Sequence, residues 1–279
     1  MQSANLPKPY HLYQFAEVAS TNDEARRLAQ EGVAMPAWIL ADRQTAGRGR
    51  FKRTWVSSQG NFMASLLLSP ILPNAEKALN KENKYNENPI ESFAQLGFVA
   101  GLAVYDALHD LLVEYDLLAV DKPTCTLSLK WPNDILLGGK KLAGILLETI
   151  STNKQETDAL AVGIGINLID FPAHMPYPAT SLKAAAGLDI QPSIVLARVA
   201  DHFDKWLIKW QKQGFMALRE VWLARAHGLN NSLQVQLADK TINGIFKTVT
   251  QTGQLVLEDI EGRECSIASG DIYFTPTPN

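Results

Sequence analysis

The sequence predicts an α+β fold of two parts, a larger unit of strands and helices over residues 1–227 and a small all-β unit over residues 228–279. Two observations predict it. Up to about Ala226, apolar runs of strand length are interleaved with longer stretches of helical apolar spacing. After Gly228 only short alternating runs remain, separated by turn residues, the pattern of a small β-barrel. With 279 residues, 46% of them hydrophobic, the chain can bury a core without metals or disulfides.

The elements follow in order. Thr21 with Glu24 forms a capping-box pattern and Gly32 a stop, so a helix is expected from about Asn22 to Gln30. Trp38 to Ala41 reads as a strand, followed by a glycine- and arginine-rich loop from Thr45 to Thr54. Asn61 to Ser69 is a second apolar strand. Pro73 to Ile90 is polar and asparagine-rich and reads as a surface insertion. Glu91 to about Glu114 has helical spacing, with Gly97 and Gly101 on one face. A strand at Leu127 to Trp131 is stopped by Pro132. Ile135 to Leu137, Gly138-Gly139 and Lys141 to Thr149 read as a β-hairpin. Leu160 to Leu168 is a further strand, and its Gly163 and Gly165 mark close approach of a ligand or another backbone. Pro192 to about Ala226 is helical with a break near Gly214. Four or five short strands complete the chain, with Asn243-Gly244, Thr252-Gly253 and Glu261-Gly262 as turn signals.

A net charge of −3 disfavours a nucleic-acid binder. Cys125 and Cys265 have no metal-ligand spacing and read as unpaired thiols of a reducing compartment. Met1 to Tyr10 has no signal-peptide core, and Gly97 to Tyr105, the most apolar stretch, is too short to span a bilayer. A cytoplasmic protein with no membrane partner is expected.

Four stretches can carry chemistry. Arg43, Arg48, Arg50, Lys52 and Arg53 crowd into eleven residues of a net-acidic chain, and Gly47 and Gly49 let backbone N–H groups turn toward one anion. A solvated basic loop has the same composition. Lys130-Trp131-Pro132-Asn133-Asp134 leaves Asn133 and Asp134 at a strand end, where an aspartate can bind Mg²⁺ or steer a lysine. By itself it is also an ordinary turn. Lys141 opens an apolar strand, where a half-desolvated ammonium seeks an anion or snorkels outward. Gly163 to Asn167 lacks the third glycine of a dinucleotide fingerprint and leaves Asn167 as a polar anchor. Walker A, GxSxG and HExxH patterns are absent, no nucleophile sits beside a base, and the five histidines lie outside every motif.

The order of the motifs says more than any one of them. Ser20-Thr21-Asn22 before a helix, Gln44 to Arg50, Trp55, Lys130 to Asp134, Lys141 to Leu146 and Gly163 to Asn167 follow one another. Together they resemble the biotin–protein ligase family, from about Ser20 to the C-terminus. The resemblance implies a mixed β-sheet flanked by helices, the class II synthetase-like catalytic domain, and a C-terminal SH3-like barrel. It implies conversion of biotin and ATP, with Mg²⁺, to biotinyl-5′-AMP and pyrophosphate, then transfer to a lysine of the biotin carboxyl carrier protein of acetyl-CoA carboxylase. By position, Ser20, Thr21, Asn22 and Gln44 would contact biotin, and Arg48, Gly49 and Arg50 would form the loop over biotin and the adenylate phosphate. Lys141 would bind carboxylate or phosphate. Trp55, Asn133 and Asn167 would hold the nucleotide, and Asp134 the metal or the acceptor amine. Only about 20 residues precede Ser20, so a monofunctional type without the family's DNA-binding domain is expected. Family loops often carry glycine where Lys52 stands here. A lipoate–protein ligase-like enzyme and a non-catalytic biotin sensor are the rival readings. The oligomeric state stays open, a homodimer included.

Overall fold

A computed structural model describes residues 6–56, 58–69, 89–117, 125–151, 159–173, 177–237 and 239–274. The first sheet contains β1 (His11–Phe15), β2 (Ala37–Ala41), β3 (Phe62–Leu68), β4 (Leu127–Lys130), β5 (Asp134–Leu137), β6 (Lys140–Ile150) and β7 (Ala159–Ile166). Its order is β1-β2-β3-β7-β6-β5-β4. Strands β1 and β2 are parallel and the remaining neighbours antiparallel, so the sheet is mixed.

Both faces of this sheet are covered, which is why its strands read as unbroken apolar runs. Side chains alternate across a strand. In β2, Trp38 and Leu40 join a core under α2 (Pro89–Glu114) and α4 (Pro192–Gln213), whereas Ala37 and Ile39 join a second cluster under α1 (Thr21–Glu31). Phe62, Leu66, Val162, Ile164 and Ile145 continue the first cluster across β3, β7 and β6. Two shorter helices, α3 (Leu182–Ala186) and α5 (Phe215–Ala224), complete this part. Gly214 separates α4 from α5 at φ 74°, a conformation that favours glycine and explains the break in the helical pattern.

Helix α2 is longer and more apolar than its sequence reading suggested. Phe93–Glu114 has the length and mean hydropathy, 1.5, of a bilayer-crossing helix. Here it is a core helix: Leu96, Val99, Ala100, Ala103, Val104 and Ala107 are buried in the first cluster. Pro89 and Ile90 begin it; the rest of the polar stretch from Pro73 lies outside the described residues. The capping box at Thr21 is not formed. Ser20 occupies the N-cap without a side-chain cap bond, and Thr21 is turned to other partners. Gly32 ends α1 in the left-handed conformation as expected.

The C-terminal residues form β8 (Ser232–Gln236), β9 (Thr241–Val249), β10 (Leu255–Glu258), β11 (Glu264–Ile267) and β12 (Asp271–Phe274). They make one antiparallel sheet ordered β11-β10-β9-β8-β12. Asn243-Gly244 is not a turn but lies inside β9, paired with Gln234 and Leu233. A Cβ on Gly244 would lie 2.8 Å from the Glu258 carbonyl oxygen, so the glycine admits close backbone approach rather than reversal. This sheet sits on the first core: Phe246, Leu255 and Leu257 join the same cluster, and Trp131 Nε1 donates to the Gly253 carbonyl at 2.9 Å. Cys125 is buried, Cys265 is exposed, and no disulfide joins them.

One buried side chain holds the chain after β7. Asn61 Oδ1 accepts from the backbone N–H groups of Leu168, Ile169 and Asp170 at 3.0, 2.9 and 3.1 Å. Its Nδ2 donates to the Asp170 carbonyl at 2.8 Å. Asn61→Ala should therefore lower the free energy of unfolding by about 2–4 kcal/mol, since buried donors lose their acceptor. Urea denaturation checks this; a loss below about 1 kcal/mol would mean that water replaces the amide.

Candidate active site

The site lies on the sheet face that α1 covers only in part. Four positions there carry little or no side chain: Ser65 on β3, Gly163 and Gly165 on β7, and Gly144 on β6. The bulky residues beside them, Leu66, Ile164 and Ile145, point into the opposite core. The hollow is filled from above by two side chains. A Cβ on Gly163 would lie 2.6 Å from Asn22 Oδ1, and one on Gly165 2.4 Å from Trp55 Cε2. The close approach at these glycines is made by the side chains of Asn22 and Trp55, and not by another backbone. All twelve residues singled out from the sequence line the cavity that remains, alongside Lys130, Arg53, Tyr177 and Asp271.

One end is neutral and hydrogen-bonded. Gln44 Oε1 accepts from Thr21 N at 2.8 Å and from Thr21 Oγ1 at 3.1 Å. Ser65 Oγ lies 2.6 Å from Asn22 Oδ1 and 2.7 Å from Thr21 Oγ1. The amide oxygens only accept, so the Thr21 hydroxyl donates to Gln44, and the Ser65 hydroxyl donates to Asn22 Oδ1 or Thr21 Oγ1. Asn22 Nδ2 donates to Glu148 Oε2 at 2.8 Å. Ser20, Thr21 and Asn22 are all buried, and this network fixes the orientation of Thr21 and Asn22 before any ligand arrives.

The arginine loop is tied at three points. Arg48 is held by Asp23, with Nη2 to Oδ1 at 2.7 Å, and by Glu148 at 3.1 Å. The hydrogen bond to Asp23 and the two acids raise its pKa, and the same contact lowers that of Asp23. Arg48 therefore anchors the loop to α1 and β6. Arg53 pairs with Asp271 of β12 at 2.7 Å. Arg50 differs: it donates to neutral acceptors, Ser269 Oγ at 2.8 Å, the Gly270 carbonyl at 3.3 Å and Asn133 Oδ1 at 3.4 Å. Burial pulls its pKa down, and Asp271 and Asp134 oppose that pull without forming an ion pair with it. Between them the chain turns through Phe51 at φ 54° and Lys52 at φ 59°. Lys52 thus occupies a left-handed position that a glycine adopts without strain.

The other end is cationic. Lys141 Nζ pairs with Asp134 Oδ1 at 2.7 Å and lies 5.7 Å and 5.3 Å from the Trp55 and Tyr177 rings. Asn133 Nδ2 donates to the Ile145 carbonyl at 2.6 Å, which holds Asn133 between the β4–β5 turn and β6. Asn167 Nδ2 donates to the Thr180 carbonyl at 3.0 Å, fixing the strap from Tyr177 to Ser181 over the cavity. Among the described residues no three metal-ligating side chains converge. No described histidine lines the cavity; His202 pairs with Asp110 and His227 faces Ser128, while His174 lies outside the described residues.

Sequence reasoning missed Asp23, Glu148, Ser65, Lys130, Tyr177 and Asp271. Lys130 and Glu148 stood inside quoted motifs, and alternation along β4 and β6 places them on the site face. Ser65, Tyr177 and Asp271 carry no local signal, since strand pairing and the second sheet bring them in. The tight seat of Trp55 yields a double-mutant test. Gly165→Ala should cost about 1–3 kcal/mol by overpacking in the wild type, and nearly nothing in a Trp55→Ala background. Equal costs in both backgrounds would show that the indole does not rest on Gly165.

Comparison with known proteins agrees with this geometry. A model of the biotin/lipoate A/B protein ligase family matches residues 15–167. A biotin–[acetyl-CoA-carboxylase] ligase of Paracoccus denitrificans is 37% identical over 264 residues, covering 93% of this chain and 98% of the relative. A bifunctional ligase/repressor of Bacillus subtilis is 31% identical over 268 residues, covering 94% of this chain and 73% of the relative. Among solved structures, the biotin protein ligase from Aquifex aeolicus in complex with biotin and ATP superposes with a TM-score of 0.73 at 28% identity, covering 96% of this chain and 99% of that one. With one family model spanning more than half of the sequence and a relative this similar over nearly its whole length, the chain belongs to the biotin/lipoate A/B protein ligase family.

Proposed function

We propose that this chain is a biotin–protein ligase that activates biotin with ATP and transfers it to a lysine of a biotin carboxyl carrier protein. The observation that carries this reading is one cavity with a neutral, preorganised hydrogen-bonding end at α1 and a cationic end at β4–β6. A ureido ring suits the first, being rich in neutral donors and acceptors. A carboxylate and a triphosphate, which must approach each other despite like charge, suit the second. Relatives named as biotin ligases favour biotin over lipoate as the acid.

In the first step a biotin carboxylate oxygen attacks the α-phosphorus of ATP. A carboxylate–phosphorus bond forms, the bond to the bridging oxygen breaks, and pyrophosphate leaves. Arg50, half-buried and without a carboxylate partner, is the cation ready for the charge that builds up. Lys141 is the second cation, held in place by Asp134. Trp55, seated on Gly165 and Gly144, offers a flat apolar wall to the adenine, and Asn133 and Asn167 flank it. Mg²⁺ would enter with ATP as part of the substrate. Asp134 would be the carboxylate in the cavity to meet the ion, an oxygen donor of the kind that Mg²⁺ takes. In the second step the acceptor amine, having lost a proton, attacks the acyl carbon and AMP departs. No protein nucleophile is needed. The tethered arginine loop keeps water from the mixed anhydride.

Incubation with biotin, Mg²⁺ and α-labelled ATP, without acceptor, should yield biotinyl-5′-AMP, and lipoate should yield no adenylate. Well-folded protein that activates neither acid would overturn the reading. Arg50→Ala should lower adenylate formation by about two to three orders of magnitude. Wild-type adenylation with full retention of the product in that variant would remove Arg50 from the mechanism.

A further inference from the structure

The cations around the cavity differ in how their charge is met. Arg48 has Asp23 and Glu148, Arg53 has Asp271 and Lys141 has Asp134. Arg50 makes three hydrogen bonds to neutral oxygens. Lys130 has none of these. Among the described residues no carboxylate pairs with it, and its ammonium faces only two rings, Tyr177 at 5.5 Å and Phe274 at 5.7 Å. Burial holds its pKa below the usual lysine range, Asp134 opposes this, and Lys141 adds to it. A half-buried ammonium with three unused donors is costly unless an anion completes it.

Its place in the sheet says which anion. Leu127 and Leu129 of β4 point into the core, so Lys130 points to the site face. Ser65, in the neutral end, is on β3, and β7, β6 and β5 intervene between it and β4. At the spacing of neighbouring strands the two are about 19 Å apart. Trp55 stands over β6 and β7 between them, and Lys141 and Asp134 come next toward β4. Lys130 is therefore at the far end of the row, opposite the neutral pocket and against the C-terminal sheet.

We propose that Lys130 binds the β- and γ-phosphates of ATP and the pyrophosphate they become. The assignment rests on the ligase reading above. When the bond between the α-phosphorus and the bridging oxygen breaks, its electron pair goes to pyrophosphate, and Lys130 meets that added charge. Lys130 touches the leaving group only, so the second half-reaction, which starts after pyrophosphate has gone, does not need it.

The test is biotin-dependent exchange of labelled pyrophosphate into ATP, measured on the full chain. Lys130→Met should raise the KM values for pyrophosphate and ATP tenfold or more, with the KM for biotin and acyl transfer from supplied biotinyl-5′-AMP within twofold of wild type. Lys130→Arg should recover most of the loss. A Lys130→Met protein with unchanged KM values for both phosphates overturns the assignment, as does an equal loss in transfer, which would mark a structural role. A measurement on unmodified protein does not depend on that variant folding: magnesium pyrophosphate should slow acylation of Lys130 by an amine reagent tenfold, and AMP should not. Absence of protection also overturns the proposal. If the wild type shows exchange with neither biotin nor lipoate, the ligase reading itself fails, and an intact pyrophosphate protection would tell that failure apart.

Discussion

A sheet packed on both faces has no room for a ligand unless one face gives up side chains. In this chain the concession is made at Ser65, Gly144, Gly163 and Gly165, four neighbouring positions on three adjacent strands. The opposite face of the same strands stays fully apolar, so the core under α2 and α4 is undisturbed. The hollow then dictates what comes above it. Asn22 can reach the sheet only because Gly163 has no Cβ, and Trp55 can lie flat only because Gly165 and Gly144 have none. The neutral end, the aromatic wall and the start of the cationic end all depend on this one arrangement.

Electrostatics are distributed with equal economy. The chain is net acidic, yet the cavity gathers Arg48, Arg50, Arg53, Lys130 and Lys141. Acids local to each, Asp23, Glu148, Asp271 and Asp134, hold three of these cations in position. In the two without a carboxylate, Arg50 and Lys130, burial lowers the pKa. Partial compensation of this kind leaves a positive field without the full cost of burying five bare charges.

The arginine loop shows how the C-terminal sheet enters the site. Arg50 and Arg53 are bound by Ser269, Gly270 and Asp271, at and just before β12. A segment that looks, by composition, like an appended β-unit thus supplies part of the frame around the cavity. Strain in the same loop is concentrated at Phe51 and Lys52, the two residues at its exposed turn.

The sequence by itself determined the helices and strands whose signal is local. The glycine stop at Gly32, the break at Gly214 and the apolar runs of β2, β3 and β7 are consequences of period and backbone freedom. It also determined the motif order, and each of the twelve residues taken from those motifs lines the cavity. What only the tertiary structure decided is which charges meet. Strand β1 was not legible, because five residues of mixed polarity become a strand only by pairing with β2. The turn expected at Asn243-Gly244 became mid-strand, because packing against Glu258 outweighed local turn preference. Asp23, 25 residues before Arg48, and Asp271, more than 200 residues after it in the chain, reach the same loop through strand order and sheet contact. Pairings of that range leave no trace in a local window, since the energy that selects them comes from burial of the whole two-sided sheet.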